Sequence, residues 1–187
     1  MRNYRSIAGG LGNNLFQFAY IYAQARKGIT PDIYLQDPKY FEGFEDELRS
    51  LYGQGVEPID MVSVHIRRGK NPAVPNEPAY SENPFMVNLC NTSYYEDAMA
   101  LFPDEKFLIF TDDKEFCKQT FPGIQIYEGK DDIDDFNAMA GCKGHIIANS
   151  SYSWWAAFVG NGKTVYPKHW YADGVERTKC PSNWIPV

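Results

Sequence analysis

Apolar positions along this chain fall into two alternating rhythms. Leu15, Phe18, Ala19 and Tyr22 recur at offsets of three and four, which predicts a helix over Asn14–Lys27 with Gly28 to end it. Tyr4–Ala8 before it reads as a strand, Ile33–Leu35 as a brief extended piece and Pro38–Tyr52 as a second helix. From Met61 onward the alternation becomes regular. Short apolar runs at Met61–Ile66, Lys106–Phe110, Ile124–Tyr127, His145–Ala148 and Lys163–Tyr166 read as strands. Between them Ser93–Leu101, Lys114–Thr120, Asp132–Cys142 and Ser153–Val159 read as helices. Apolar strands separated by helices predict an α/β fold whose parallel sheet is covered on both faces, here a Rossmann-like domain over residues 61–187. Residues 1–60 then form a smaller N-terminal α/β portion.

The interruption in this pattern is Gly69–Asn91, where Pro72, Pro75, Pro78 and Pro84 preclude regular structure. Loops of that length inside a compact domain are functional or disordered, and this one follows the most polar strand end, so a binding loop is expected. The acidic stretch Glu128–Asp135 reads as a solvated helix start, with Asp132 or Asp134 helping to cap it. The segment Trp170–Val187 is aromatic enough to pack, without a predicted place.

Composition narrows the function classes. With 18 basic and 24 acidic residues the 187-residue chain carries a net charge of −6, which argues against nucleic acid or an anionic membrane as partner. Any anion must therefore be bound locally. No apolar run reaches the roughly 18–20 residues of a membrane span, and no secretory-type apolar stretch precedes the first glycines, so a cytoplasmic protein is expected. Cys90, Cys117, Cys142 and Cys180 form no CxxC pair and are expected as reduced, mostly buried thiols. His65, His145 and His169 are scattered without metal spacing, so no metal is expected.

Four segments place polar residues where an α/β sheet puts its ligands. The turn Gly9-Gly10-Leu11-Gly12-Asn13 lets backbone approach a phosphate or sugar, or is simply a tight turn; Leu15 breaks the dinucleotide fingerprint. Val62–Gly69 is an apolar strand ending in two arginines. His65 and Arg67 project from one face and Arg68 from the other, offering a planar cationic fork for phosphate oxygens or a surface pair. In Phe110-Thr111-Asp112-Asp113 one carboxylate can cap the following helix while the other orients an arginine or binds ribose. Ile147–Trp155 leads a strand into a hydroxyl-rich helix start, either an anion cradle or a multiply capped helix. Together they describe a site for a nucleoside diphosphate, and the missing Walker-type lysine loop counts against an ATPase or kinase.

In GGLGNNLFQFAYIYAQA (Gly9–Ala25), VSVHIRRG (Val62–Gly69), FTDD (Phe110–Asp113) and DDFNAMAGCKGHIIANSSYSWWAAF (Asp134–Phe158) the sequence resembles the glycosyltransferase family 11 fucosyltransferases, the α-1,2-fucosyltransferase group. The resemblance implies a GT-B-like fold and an inverting, metal-independent transfer of fucose from a GDP-fucose donor to a glycan acceptor, with no further cofactor. Residues 61–187 then bind the GDP-sugar and residues 1–60 form a reduced acceptor-side portion. By the same resemblance Arg67 holds the diphosphate, Arg68 supports it or the fold, and His65 contacts the guanosine. Asp135 binds guanine or ribose, and Ser153 with the amides of Trp154 and Trp155 cradles the β-phosphate. Arg67 and Asn13 are the expected catalytic residues. Gly10, Gly12, Asp112, Asp113, Asn149, Ser150 and Ser151 complete the expected donor contacts. A homo-oligomer is left open.

The chain departs from the family pattern twice. Where H-x-R-R-G-D is usual, Lys70 follows Gly69, reversing the charge of a residue that would orient the arginines or take the acceptor proton. The interval from Gly12 to His65 is also short. Two alternative readings follow, a GDP-sugar-binding protein with impaired catalysis and a transferase for another GDP-hexose such as GDP-mannose.

Overall fold

The computed structural model of the protein describes residues 10–27, 36–70 and 78–187. The strand expected at Tyr4–Ala8, the helix stop at Gly28, the extended piece at Ile33–Leu35 and the loop prolines Pro72 and Pro75 lie outside the described residues.

Strands β1 (Ile59–Ile66), β2 (Phe107–Thr111), β3 (Gln125–Ile126), β4 (Cys142–Ile146), β5 (Lys163–Tyr166) and β6 (Ile185–Pro186) form one parallel sheet in the order β3-β2-β1-β4-β5-β6. Helices α1 (Leu11–Arg26), α2 (Glu45–Tyr52), α5 (Asp132–Gly141) and α6 (Ser151–Gly160) contribute to the apolar layer on one face; α3 (Tyr94–Ala100) and α4 (Lys114–Thr120) contribute to the layer on the other. Alternation along β1 makes this division: Val62, Val64 and Ile66 join the α3–α4 layer, leaving Ser63 and His65 to the opposite face. Strand order reverses between β1 and β4, so their C-terminal ends flank the crevice where such sheets bind ligands.

Helix α6 is apolar on all sides because it is buried on all sides: Trp154, Trp155, Ala156 and Ala157 have no exposed surface. Phe16 of α1 lies 4.6 Å from Trp154 and 4.9 Å from Trp155, and Phe41 lies 5.5 Å from Trp155, measured between ring centroids. Truncating either tryptophan to alanine costs about 3–5 kcal/mol by the usual scale of large-to-small core changes. The N-terminal helices thus share one core with α5 and α6.

Several boundaries differ from the sequence pattern. Helix α1 begins at Leu11, three residues early, and takes the poor helix former Gly12 into its first turn because that turn packs on α6. The single helix expected over Pro38–Tyr52 is a short 3-10 turn at Pro38–Phe41, capped by Asp37, followed by α2; Gly43 between them sits at φ +85°. Strand β4 starts at Cys142, where α5 ends without a loop, and not at His145. Asp131 caps α5 in place of Asp132 or Asp134, accepting from the amides of Ile133 and Asp134. Two 3-10 turns, Tyr80–Glu82 and Leu89–Asn91, occupy the loop read as irregular. Strand β6, absent from the pattern, closes the sheet edge beside Val165 and Tyr166. All four cysteines are free, and among the described residues no helix is long and apolar enough to cross a membrane.

Candidate functional site

A cleft of about 580 Å³ opens at the strand-order reversal, between the ends of β1 and β4. Arg67 leaves β1 on the His65 side and enters it. Its Nη1 donates to Oδ2 of Asp112 in a close ion pair, and Oδ1 of the same carboxylate accepts the backbone N–H of Arg68 at 2.8 Å. Asp112 leans against Gly69, where a Cβ would stand 3.0 Å from Oδ2. The Arg67 guanidinium also lies 5.7 Å from the Tyr80 ring centroid, and the Tyr80 hydroxyl donates to the Asn149 carbonyl. Tyr80 thereby straps the end of β1 to the segment after β4.

The neighbouring arginine has the opposite fate. Arg68 emerges on the α4 side, stacks 3.6 Å from the Phe116 ring centroid and donates from Nε to Asp113 Oδ2 at 3.1 Å. Asp113 also caps α4 by accepting the Phe116 amide at 3.1 Å. Neither Arg68 nor Asp113 lines the cleft.

His65 is 6% exposed, lines the cleft, and has no partner for Nδ1. Burial, aided by Arg67 and opposed by Asp112, pushes its pKa down to about 4, so the ring is neutral at pH 7. The Tyr152 ring lies 5.8 Å away.

Across from Arg67 stands the N-terminus of α6. Ser150 is its N-cap residue without a side-chain cap bond. The Trp154 amide donates to the Ser150 carbonyl at 3.0 Å, as later helix amides do, so the amides that open the helix are those of Ser151, Tyr152 and Ser153. Ser153 has no exposed surface and turns its hydroxyl to the Ser150 carbonyl at 3.3 Å. The Trp154 indole is likewise buried, donating to the Lys179 carbonyl at 3.0 Å. Neither of these two side chains lines the cleft, while Ser150, Ser151 and Tyr152 do. Gly12 and Asn13 of α1, with Gly10 just before it, lie on this side of the cleft, and Asn13 Oδ1 accepts the Ser151 hydroxyl at 2.8 Å.

Asn149 lines the cleft but its amino group serves the walls, donating to the carbonyls of Val87 at 2.8 Å and Trp170 at 3.0 Å. At the α5 end, Asp135 tucks over Gly129, where any Cβ would collide with Oδ1. That oxygen is buried without a hydrogen-bond partner. Burial first, then the Asp134, Asp132 and Asp131 charges, raise its pKa against the opposing effect of Lys114. Asp135 lines the cleft, and a turn of its carboxylate away from Gly129 would bring this oxygen to an N–H or O–H group of a ligand. Lys70 also lines the cleft. Among the described residues, no three His, Cys, Asp or Glu side chains are grouped to hold a metal ion.

The structure therefore brings together Gly10, Gly12, Asn13, His65, Arg67, Asp112, Asp135, Asn149, Ser150 and Ser151, and leaves Arg68, Asp113, Ser153 and Trp154 behind the cleft wall. Sequence reasoning missed Gln36, Tyr80, Tyr152, Trp170 and Tyr171, which also line it. Tyr80 lies in the proline-rich loop read as a binding loop, and Trp170 and Tyr171 in the aromatic tail. Nothing in the pattern around Gln36 marks it.

The chain is 30% identical to an alpha-1,2-colitosyltransferase of Escherichia coli over 184 aligned residues, covering 81% of this chain and 60% of that protein. It is 29% identical to the O-antigen biosynthesis glycosyltransferase WbnK of Escherichia coli over 145 residues, covering 69% of this chain and 45% of the relative. The chain thus spans about half the length of these curated relatives. No solved structure gives a significant match. The family model for glycosyl transferase family 11 matches residues 5–186, and the chain belongs to that family.

Proposed function

We propose that the protein is a fucosyltransferase, moving fucose from GDP-fucose to a glycan hydroxyl with inversion and without a metal ion. The observation that carries this reading is the cleft in which Arg67 and the opening amides of α6 lie across from each other, with the Asp135 carboxylate at one end. A cation and helix-terminal N–H groups suit a diphosphate. A carboxylate oxygen suits the N–H edge of guanine or a ribose hydroxyl. On this reading the sheet from β1 onward holds the donor and the first 60 residues supply the acceptor side of a GT-B-like cleft.

The acceptor hydroxyl oxygen attacks the anomeric carbon from the face opposite GDP and releases its proton to water as the new bond forms. The bond from that carbon to the β-phosphate oxygen breaks, and its electron pair leaves with the phosphate. Arg67 and the α6 amides stabilise the negative charge that develops there, which is the task a divalent cation performs in other transferases. One displacement inverts the centre.

The colitosyltransferase relative and the mannose alternative widen the donor test. Incubation with GDP-fucose, a colitosyl donor, GDP-mannose and UDP-sugars, against a glycan panel, is expected to give transfer from GDP-fucose. Transfer from another GDP-sugar alone would replace the sugar and keep the mechanism. Binding of GDP with neither transfer nor hydrolysis would favour the second reading, a GDP-sugar-binding protein without catalysis. That reading is favoured by Lys70, a cation in the cleft where the family pattern has an acid. Activity gained by Lys70→Asp would support it.

A further inference from the structure

A chain of side-chain hydrogen bonds runs along the cleft wall from the C-terminal segment to the head of α6. The Thr178 hydroxyl donates to Gln36 Oε1 at 2.6 Å, and Gln36 Nε2 donates to Asn13 Oδ1 at 2.9 Å. The same Asn13 oxygen accepts the Ser151 hydroxyl at 2.8 Å. Thr178 has one proton and gives it to Gln36, so the Tyr171 hydroxyl, 2.9 Å from Thr178 Oγ1, is the donor of that pair. Donation therefore runs one way from Tyr171 through Thr178 and Gln36 to Asn13, where it meets the bond donated by Ser151. Gln36 is also held by its backbone, whose carbonyl accepts the Lys179 amide at 2.9 Å. Thr178 is 5% exposed and is not among the residues that line the cleft.

We propose that Gln36 and Thr178 are positioning residues that set the orientation of the Asn13 amide, and with it the Ser151 hydroxyl, at the N-terminus of α6. A primary amide is ambivalent: one end repels an anion and the other attracts it. Two donors, Gln36 Nε2 and Ser151 Oγ, hold the Asn13 carbonyl oxygen to the wall. The lone pairs of the Asn13 carbonyl oxygen are then already taken up by donors when a diphosphate arrives at the α6 terminus. The Ser151 proton is likewise committed to Asn13, leaving backbone amides as the donors to phosphate. The consequence for nucleotide binding rests on the function proposed above; the orientation of Asn13 does not.

Gln36→Met removes both amide bonds at nearly constant length and no change of charge. Thr178→Val removes the hydroxyl at constant shape, and Thr178→Ser restores it. In the ligand-free protein, the Asn13 side-chain amide signals in nitrogen–proton NMR spectra are expected to move in Gln36→Met and Thr178→Val and to stay in place in Thr178→Ser. Calorimetric titration with GDP is expected to weaken about five- to tenfold in the first two, the scale of one hydrogen bond, with guanosine affinity unchanged. The double variant is expected to be no worse than either single one, because both interrupt one chain. Unmoved Asn13 signals in a folded Gln36→Met protein, or a double variant whose loss is the product of the two single losses, would overturn the proposal. If the wild-type protein binds no GDP while the Asn13 signals move as expected, the proposed function fails and the positioning role stands.

Discussion

Gly12 lies so close to Ser151 that a Cβ at position 12 would stand 2.3 Å from the Ser151 carbonyl carbon. The first turn of α1 and the head of α6 thus touch backbone to backbone. Alanine is the better helix former by about 1 kcal/mol, yet Gly12→Ala must drive the two helices apart. A net destabilisation of about 1–3 kcal/mol is expected, together with weaker GDP binding. Gly10→Ala, with nothing within 4 Å of the added methyl, serves as the contrast. Urea denaturation and GDP titration of the two variants check the pair.

The two consecutive arginines are expected to separate cleanly. Arg67→Ala removes a cation from the cleft and should weaken GDP binding about tenfold or more, the scale of a charged hydrogen bond, with the fold intact. Arg68→Ala removes the Phe116 stack and the partner of the α4 cap residue, so its main effect should be a lower melting temperature. Calorimetry and thermal melts of both variants test the division; unchanged GDP affinity in Arg67→Ala would remove that residue from the site.

Asp135 is expected to discriminate the base. Asp135→Asn substitutes a neutral amide for a carboxylate whose Oδ1 awaits a donor. It should reduce the preference for GDP over ADP more than it reduces affinity for the diphosphate as such. Gly129→Ala forces Oδ1 from its place and should give the same loss of selectivity without touching the carboxylate chemically. Competition titrations with GDP and ADP provide the measurement.

Stability should fall on acidification through the histidine range. Burial holds His145 at about 4 against 6.5 in the unfolded chain. Between those values the unfolded chain binds a proton that the folded protein does not, so stability rises with pH there. The contribution is complete above the unfolded value and is lost as pH falls toward the folded one, with a slope approaching about 1.4 kcal/mol per pH unit. His145 Nδ1 faces the Ser63 hydroxyl at 2.9 Å, so His145→Gln keeps a polar partner there. Urea midpoints measured from pH 7.5 down to 4.5 should be flatter in this variant; an identical slope would show that His145 does not titrate as argued.

Much of the sheet was legible because β1, β2 and β5 are apolar runs bounded by polar turns. The β4 register was not. Ile147 and Ala148 continue the apolar run beyond the strand, and Cys142 follows α5 without a turn residue to mark the change. Strand β6 contains a proline and gains its place from pairing with β5, which no local pattern records. In the site, alternation along β1 separated Arg67 from Arg68 correctly. Asn149 and Ser153 have the residue types of ligand contacts, and what they contact, carbonyls of Val87, Trp170 and Ser150, depends on tertiary placement. Gln36 and Thr178 lie 142 positions apart and become partners only when the fold closes.

That separation carries a kinetic consequence. Asn13 and Ser151 are 138 positions apart, so this side of the cleft forms only once α1 has docked on α6. A ligand of the cleft binds the native state and not its partly folded forms, and it stabilises by RT ln(1 + [L]/Kd). Occupancy of the cleft during synthesis would therefore act as a folding aid, drawing late-assembling chains into the native population.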